Sequence, residues 1–70
     1  MPKLYSSKQI IKVLRARGFI FISQKGSHIK YRKTADVVLT VIVPNDKKQI
    51  PKGTFSSILR QANLTERDFE

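Results

Sequence analysis

The sequence predicts an α+β fold of order α-β-β-β-α, a three-stranded antiparallel sheet with two helices on one face. Two segments with helical spacing of apolar residues stand at the ends, and three segments rich in β-branched and aromatic residues lie between them. The short connections between those three favour antiparallel neighbours. The sheet must cover its apolar face, and the two helices are the only material available. At 70 residues we expect a single domain spanning 1–70.

The first helix is predicted over residues 5–18. Ser6 and Gln9 fit a capping box at its start, and Gly18 suits the left-handed position that follows its last turn. An apolar stripe at helical spacing is formed by Ile10, Ile11, Val13 and Leu14. A cationic ridge on the opposite side consists of Lys8, Lys12 and Arg15. This ridge either contacts phosphates or is an ordinary solvated helix face.

Three strands are predicted next. The continuous apolar run 19–22 indicates a buried strand, and residues 24–27 a turn in which Gly26 is free to adopt a positive φ. Residues 27–33 alternate in polarity, and residues 34–36 form the second turn. Residues 37–43 are the strongest strand candidate, which ends at Pro44. Together they predict an antiparallel meander.

The alternation of the second strand assigns its side chains to two faces. Ile29 and Tyr31 are expected on the face that the helices cover. The opposite, open face then holds His28, Lys30 and Arg32.

The second helix follows a polar loop over residues 44–53. Thr54 is predicted as its N-cap, and the helix runs to about Ala62, with Asn63 as its closing residue. One side is apolar through Phe55, Ile58, Leu59 and Ala62. A last turn is predicted from Thr65 and Asp68, with Phe69 as an apolar anchor.

The charge of the chain points to a polyanionic partner. The formal net charge is +9, and residues 1–60 hold thirteen of the fourteen Lys and Arg residues but two of the five acidic ones. Such a surface is typical of nucleic-acid binding, although lysine-rich surfaces also serve solubility alone. The chain has no cysteine and no apolar run long enough for a membrane span or a signal peptide core. We expect a cytoplasmic protein that binds no membrane, no metal and no cofactor, and that is monomeric when free.

The only histidine, His28, is the candidate for chemistry. Histidine moves protons near neutral pH, although a lone histidine in a strand is often just a partly buried polar residue. RNA supplies its own nucleophile, the 2′-hydroxyl, so a cleaving protein needs proton transfer and charge stabilisation. Lys30 or Arg32 could supply the charge, and the backbone N–H groups near Gly26 and Ser27 could add hydrogen bonds.

Metal-dependent cleavage is disfavoured by the placement of the acidic residues. Outside the C-terminal ten residues the only carboxylates are Asp36 and Asp46, which lie in separate predicted loops.

An ordered set of motifs resembles a known family over nearly the whole chain. The set comprises the helix end LRARGF (14–19), GSHIKY (26–31), a strand ending in Val43-Pro44, KGTF (52–55) and ILRQA (58–62). Together they resemble the HicA toxin family (YcfA-like proteins) of prokaryotic toxin–antitoxin pairs. The resemblance implies a double-stranded-RNA-binding-domain-like fold. It also implies a metal-independent mRNA endonuclease that blocks translation and is held inactive by a HicB-like antitoxin.

The resemblance carries over to individual residues only where the motifs match. The catalytic histidine of the family maps onto His28, and Gly26 and Ser27 match as motif neighbours. Gly53 and Thr54 match a motif that we interpret as a turn and an N-cap. Many relatives carry a second histidine shortly after the Val-Pro pair, whereas residues 45–48 here are Asn-Asp-Lys-Lys.

Two other functions remain compatible with the sequence. The first is a non-catalytic RNA-binding module that uses the same basic surface. The second is an interaction protein whose cationic face docks an acidic partner, which is also compatible with a ribonuclease that such a partner inhibits.

Overall fold

The computed structural model describes residues 4–70 and confirms the predicted order and sheet. Helix α1 spans Ser7–Ala16 and helix α2 spans Lys52–Ala62. The strands between them are β1 (Ile20–Lys25), β2 (His28–Thr34) and β3 (Val38–Pro44), and a 3₁₀ turn at Glu66–Phe69 ends the chain. The strands form one antiparallel sheet of order β1-β2-β3.

Helix α1 begins two residues later and ends two residues earlier than the predicted limits of 5 and 18. The Ser6 hydroxyl accepts a hydrogen bond from Gln9 N–H, and the Gln9 side chain accepts one from Ser6 N–H, so the capping box is confirmed. Gly18 follows the helix with a φ of 96°, a conformation that only glycine adopts at little cost. Ile10 and Leu14 are completely buried, while the cationic ridge is exposed.

The first strand connection is shorter than predicted, and the second keeps its three residues but lies one residue later, at 35–37. The first turn is only two residues long, Gly26 and Ser27, because Lys25 and His28 already pair across it. Gly26 is the first of the two turn residues and has a φ of 58°, which is the position where short hairpins favour glycine. The strand predicted at 37–43 lies one residue later and includes Pro44, which pairs with His28 at the end of the ladder.

The core lies between the sheet and the two helices. Ile29 and Tyr31 are buried as predicted, and so are Val41 and Val43 of β3. From the helices and the connecting loop come the buried side chains of Ile10, Leu14, Ile50, Phe55, Ile58 and Ala62. Both helices pack mainly against β3, which leaves one face of the sheet open.

Strand β1 corrects the prediction that the run 19–22 is buried. Only Phe19, which precedes the strand, lies in the core, and all six residues of β1 are exposed. The reason is topological, since β1 is an edge strand and the helices pack against β3 at the other edge. The pairing with β2 also shifts between Phe21 and Ser23, where a β-bulge interrupts the ladder.

The start of α2 corrects a second prediction. The helix begins at Lys52 with Pro51 as its N-cap, so Thr54 is not the N-cap and Gly53 lies inside the first turn of the helix. Pro51 is extended with a ψ of 148°, and its carbonyl accepts the first helical hydrogen bond from Phe55 N–H at 2.9 Å. Proline fixes φ near the helical value, which favours a helix start without a side-chain cap. The predicted end is confirmed, because Asn63 adopts the left-handed conformation.

The C-terminal turn is anchored as predicted. Thr65 and Asp68 form a capping box, and Phe69 is buried against Tyr5 and Phe55 with ring centroids 5.7 and 5.1 Å away. Asp68 also forms an ion pair with Arg17 at 3.0 Å, which joins the turn to the end of α1. The pKa of Asp68 is lowered, chiefly by the hydrogen bond from Thr65 N–H. Desolvation opposes this shift, and the Thr65 hydroxyl and the charge of Arg17 lower the pKa further.

Candidate active site

His28 is the first residue of β2 and is exposed, as the hypothesis of proton transfer requires. It follows directly after the Gly26-Ser27 turn and pairs with Lys25 of β1 on one side and Pro44 of β3 on the other. Directly paired residues of antiparallel strands project to the same face. Because the neighbouring Ile29 is buried in the core, His28 projects from the open face.

A groove on the open face contains the imidazole of His28. It is lined by Ser23 and Lys25 from β1, His28 and Lys30 from β2, and Ile42 from β3. The groove therefore combines one imidazole with two lysine ammonium groups. Lys30 lies two residues from His28 along the strand, about 7 Å away, which suits two groups that contact one phosphodiester.

The turn before His28 holds two free hydrogen-bond donors. Its carbonyls are engaged: the Gln24 side chain donates to the Gly26 carbonyl at 3.1 Å, and Asn45 N–H donates to the Ser27 carbonyl at 2.6 Å. The N–H groups of Gly26 and Ser27, in contrast, have no acceptor within residues 4–70. Exposed backbone N–H groups in a glycine turn can bind phosphate oxygens.

The loop between β3 and α2 is tied to the same turn and to α1. Asn45 N–H bonds the Ser27 carbonyl, as described above. In addition, the buried Ser7 hydroxyl of α1 donates to the Pro44 carbonyl at 2.6 Å and accepts from Lys47 N–H at 2.9 Å. Ile50, completely buried, donates its N–H to the Tyr5 carbonyl at 2.8 Å. The loop that begins at Asn45 is therefore held by its backbone beside the turn that precedes His28.

Not all predicted site residues come together. Arg32 is on the open face but lies about 13 Å from His28 along the strand, and its Nε donates to the Thr40 hydroxyl at 3.3 Å. The α1 ridge of Lys8, Lys12 and Arg15, together with Ile11, lines a separate, shallow groove on the helix side of the sheet. The structure thus groups His28 with Lys30 and the Gly26-Ser27 turn, and places Arg32 and the ridge outside that groove.

Sequence reasoning missed Lys25. The prediction placed it inside a four-residue turn, whereas it ends β1 and faces His28 across the hairpin. A signal was present, because a Gly-Ser pair between two strand-like runs is typical of a two-residue hairpin turn. That turn length alone places residues 25 and 28 opposite each other.

Within residues 4–70, no three His, Cys, Asp or Glu side chains lie close enough together to hold a metal ion. No helix in the same range is long and apolar enough to cross a bilayer.

Comparison with known proteins identifies one family. The family model described as HicA toxin of bacterial toxin-antitoxin matches residues 7–64, which includes both helices, the whole sheet and the groove around His28. No curated protein matches the chain.

Proposed function

Because this chain belongs to the HicA toxin family, we propose that it is a metal-independent endoribonuclease that cleaves mRNA and so inhibits translation. The observation that carries the proposal is the exposed His28 in a groove with Lys25 and Lys30. Its partner is a HicB-like antitoxin that holds the enzyme inactive by blocking access to this groove.

The proposed reaction is a transesterification within the RNA. The imidazole of His28 takes the proton from a 2′-hydroxyl, whose oxygen attacks the adjacent phosphorus. The bond from phosphorus to the 5′-oxygen breaks, and the protonated imidazole returns its proton to that oxygen. The products are a 2′,3′-cyclic phosphate and a new 5′-hydroxyl. DNA has no 2′-hydroxyl and is therefore spared.

The other groups of the groove bind the phosphate and stabilise its developing negative charge. Lys30 and Lys25 flank His28 on the open face, and the free N–H groups of Gly26 and Ser27 add hydrogen bonds next to it. Arg32 and the ridge of Lys8, Lys12 and Arg15 contact neighbouring phosphates along the RNA, which adds affinity but no chemistry.

The test is the replacement of His28 by Ala and, separately, by Gln. Both variants keep the turn and the lysines, so we expect folded proteins that bind RNA but lose cleavage by about 10²-fold or more and no longer arrest growth. Imidazole added to the medium should restore part of the cleavage by His28→Ala, because the site is open to solvent. Cleavage by both variants at the wild-type rate would refute the role of His28.

Two further readouts separate the proposal from its rivals. Wild-type protein should cleave RNA equally well with and without a chelator, and the product should carry a 2′,3′-cyclic phosphate. Binding should weaken steeply as salt is raised, because it rests on phosphate contacts. A wild-type protein that binds RNA in this manner without cleaving it would instead be an RNA-binding module.

A further inference from the structure

Strand β1 has the sequence of an interior strand but the position of an edge strand. Ile20, Phe21 and Ile22 follow one another, yet 63%, 56% and 38% of these side chains are exposed. A continuous apolar run of this kind is typical of a strand covered on both faces. Within residues 4–70 no strand pairs with the outer side of β1.

The exposed apolar groups lie on both faces of the sheet at this edge. Ile20 pairs with Arg32 and so belongs to the open face. Phe21 pairs with Tyr31 and packs edge-on against its ring, with centroids 6.1 Å apart, on the helix side. An added strand would cover the free backbone edge and shield side chains on both faces at once, which packing against either face alone would not do.

The outer edge of β3 is covered by side chains of the two helices, whereas the outer edge of β1 is left exposed. The Gln61 side chain on α2 accepts a hydrogen bond from Ile42 N–H of β3 at 3.0 Å, and the Ser7 hydroxyl bonds the Pro44 carbonyl. Exposed edge strands invite pairing with other chains, and folds usually cover them. Here the elements of the fold cover one edge and leave the other.

The charges around β1 select the partner. Lys25 ends the strand, Lys30 lies on the open face of the adjacent strand, and the Lys33 ammonium lies 6.0 Å from the Phe19 ring on the helix side. A second copy of the chain would bring another net charge of +9 to the same edge. An acidic protein that supplies an extended segment is complementary both to the apolar run and to the positive charges around it.

We propose that the acidic antitoxin partner docks by adding a strand to the outer edge of β1, so that Ile20, Phe21 and Ile22 become interior residues. This proposal rests on the proposed function for the identity of the partner, and it names a surface beside the groove rather than the groove itself. Because Ser23 and Lys25 of β1 line the His28 groove, a strand paired to β1 positions the partner at the edge of that groove.

The experiment uses the protein encoded by the reading frame adjacent to this chain's own gene as the probe. Ile20→Glu is compared with Val37→Glu, because Val37 is equally exposed at 63% but lies in the β2–β3 turn. We expect Ile20→Glu to weaken binding at least about tenfold, since a charge is introduced into a buried apolar contact, and Val37→Glu to change it less than about twofold. In hydrogen–deuterium exchange, amides of residues 20–25 should become protected on binding.

The outcomes distinguish this proposal from the proposed ribonuclease activity. Equal binding by Ile20→Glu and the wild type, or a complex without added protection of the β1 amides, overturns strand addition. Concentration-dependent protection of these amides in the chain alone assigns the edge to a second copy and overturns the acidic partner. RNA cleavage is measured separately on free Ile20→Glu at saturating RNA. There it should match the wild type, because Ile20 lies beside Arg32 and outside the His28 groove, so a loss of partner binding is not confused with an inactive site.

Discussion

The hydroxyl of Ser7 offers a sharp test of how the fold supports the site. It is buried and makes two hydrogen bonds to the end of β3 and the loop that follows it, donating to the Pro44 carbonyl and accepting from Lys47 N–H. Ser7→Ala leaves both backbone groups without these partners. Both bonds are partly buried, and a typical intramolecular hydrogen bond contributes about 0.5–1.5 kcal/mol, so we expect a loss of about 1–3 kcal/mol in the free energy of unfolding.

That loss is large for a chain of this size. Small single domains are stable by only about 5 kcal/mol, so Ser7→Ala should unfold at a lower urea concentration and at a melting temperature at least about 4 °C lower. The assay is urea and thermal unfolding followed by circular dichroism. Ser56→Ala is the matched control, because Ser56 is exposed on α2, and we expect a change within about 0.5 kcal/mol.

The substitution should also loosen the loop beside His28. Asn45 N–H, bonded to the Ser27 carbonyl, lies within the segment 44–47 that Ser7 holds. We expect faster hydrogen exchange at Asn45 in Ser7→Ala, and weaker protection there than at Val41 in the centre of β3. A stability loss below about 1 kcal/mol, or one equal to that of the control, would refute the reasoning from buried hydrogen bonds.

Four further substitutions test the turns and the core. Hydrogen bonds from Thr65 and the charge of Arg17 lower the folded-state pKa of Asp68, so its ionised form stabilises the fold above about pH 4, and this stabilisation is lost as the pH falls through the folded pKa. Asp68→Asn should therefore be less stable than the wild type at pH 6, and the difference should disappear when unfolding is measured in acid. A difference that stays constant with pH would contradict this prediction. In Gly26→Ala the added methyl group meets no atom within 4 Å, but the residue must keep a φ of 58°, so we expect a loss of about 1 kcal/mol in the free energy of unfolding. Gly53→Ala, inside α2, should instead raise the free energy of unfolding by up to about 1 kcal/mol in the same urea assay. Equal effects of the two substitutions would contradict the backbone argument. Ile58→Ala should cost about 2–5 kcal/mol by leaving a cavity between α2 and the sheet, and a loss like that of exposed residues would contradict its burial.

Local patterns in the sequence were enough to predict the elements and several of their ends. The Ser6–Gln9 and Thr65–Asp68 boxes, the positive φ of Gly18 and Gly26, and the left-handed Asn63 depend on neighbours within a few residues, so local sequence determines them. The assignment of Ile29 and Tyr31 to the core also followed, because alternation in a strand has a fixed period. The same alternation placed His28 and Lys30 together on the open face.

Tertiary structure decided what depends on distant parts of the chain. Whether the run at 19–22 is buried depends on which edge of the sheet the helices cover, and they pack against β3. The position of the 45–50 loop depends on Ser7, almost forty residues away in the sequence. The sequence by itself determined the elements and the chemical character of the open face. Long-range packing determined how the 45–50 loop is held and which edge of the sheet is left uncovered, because contacts between distant residues leave no periodic pattern in the chain.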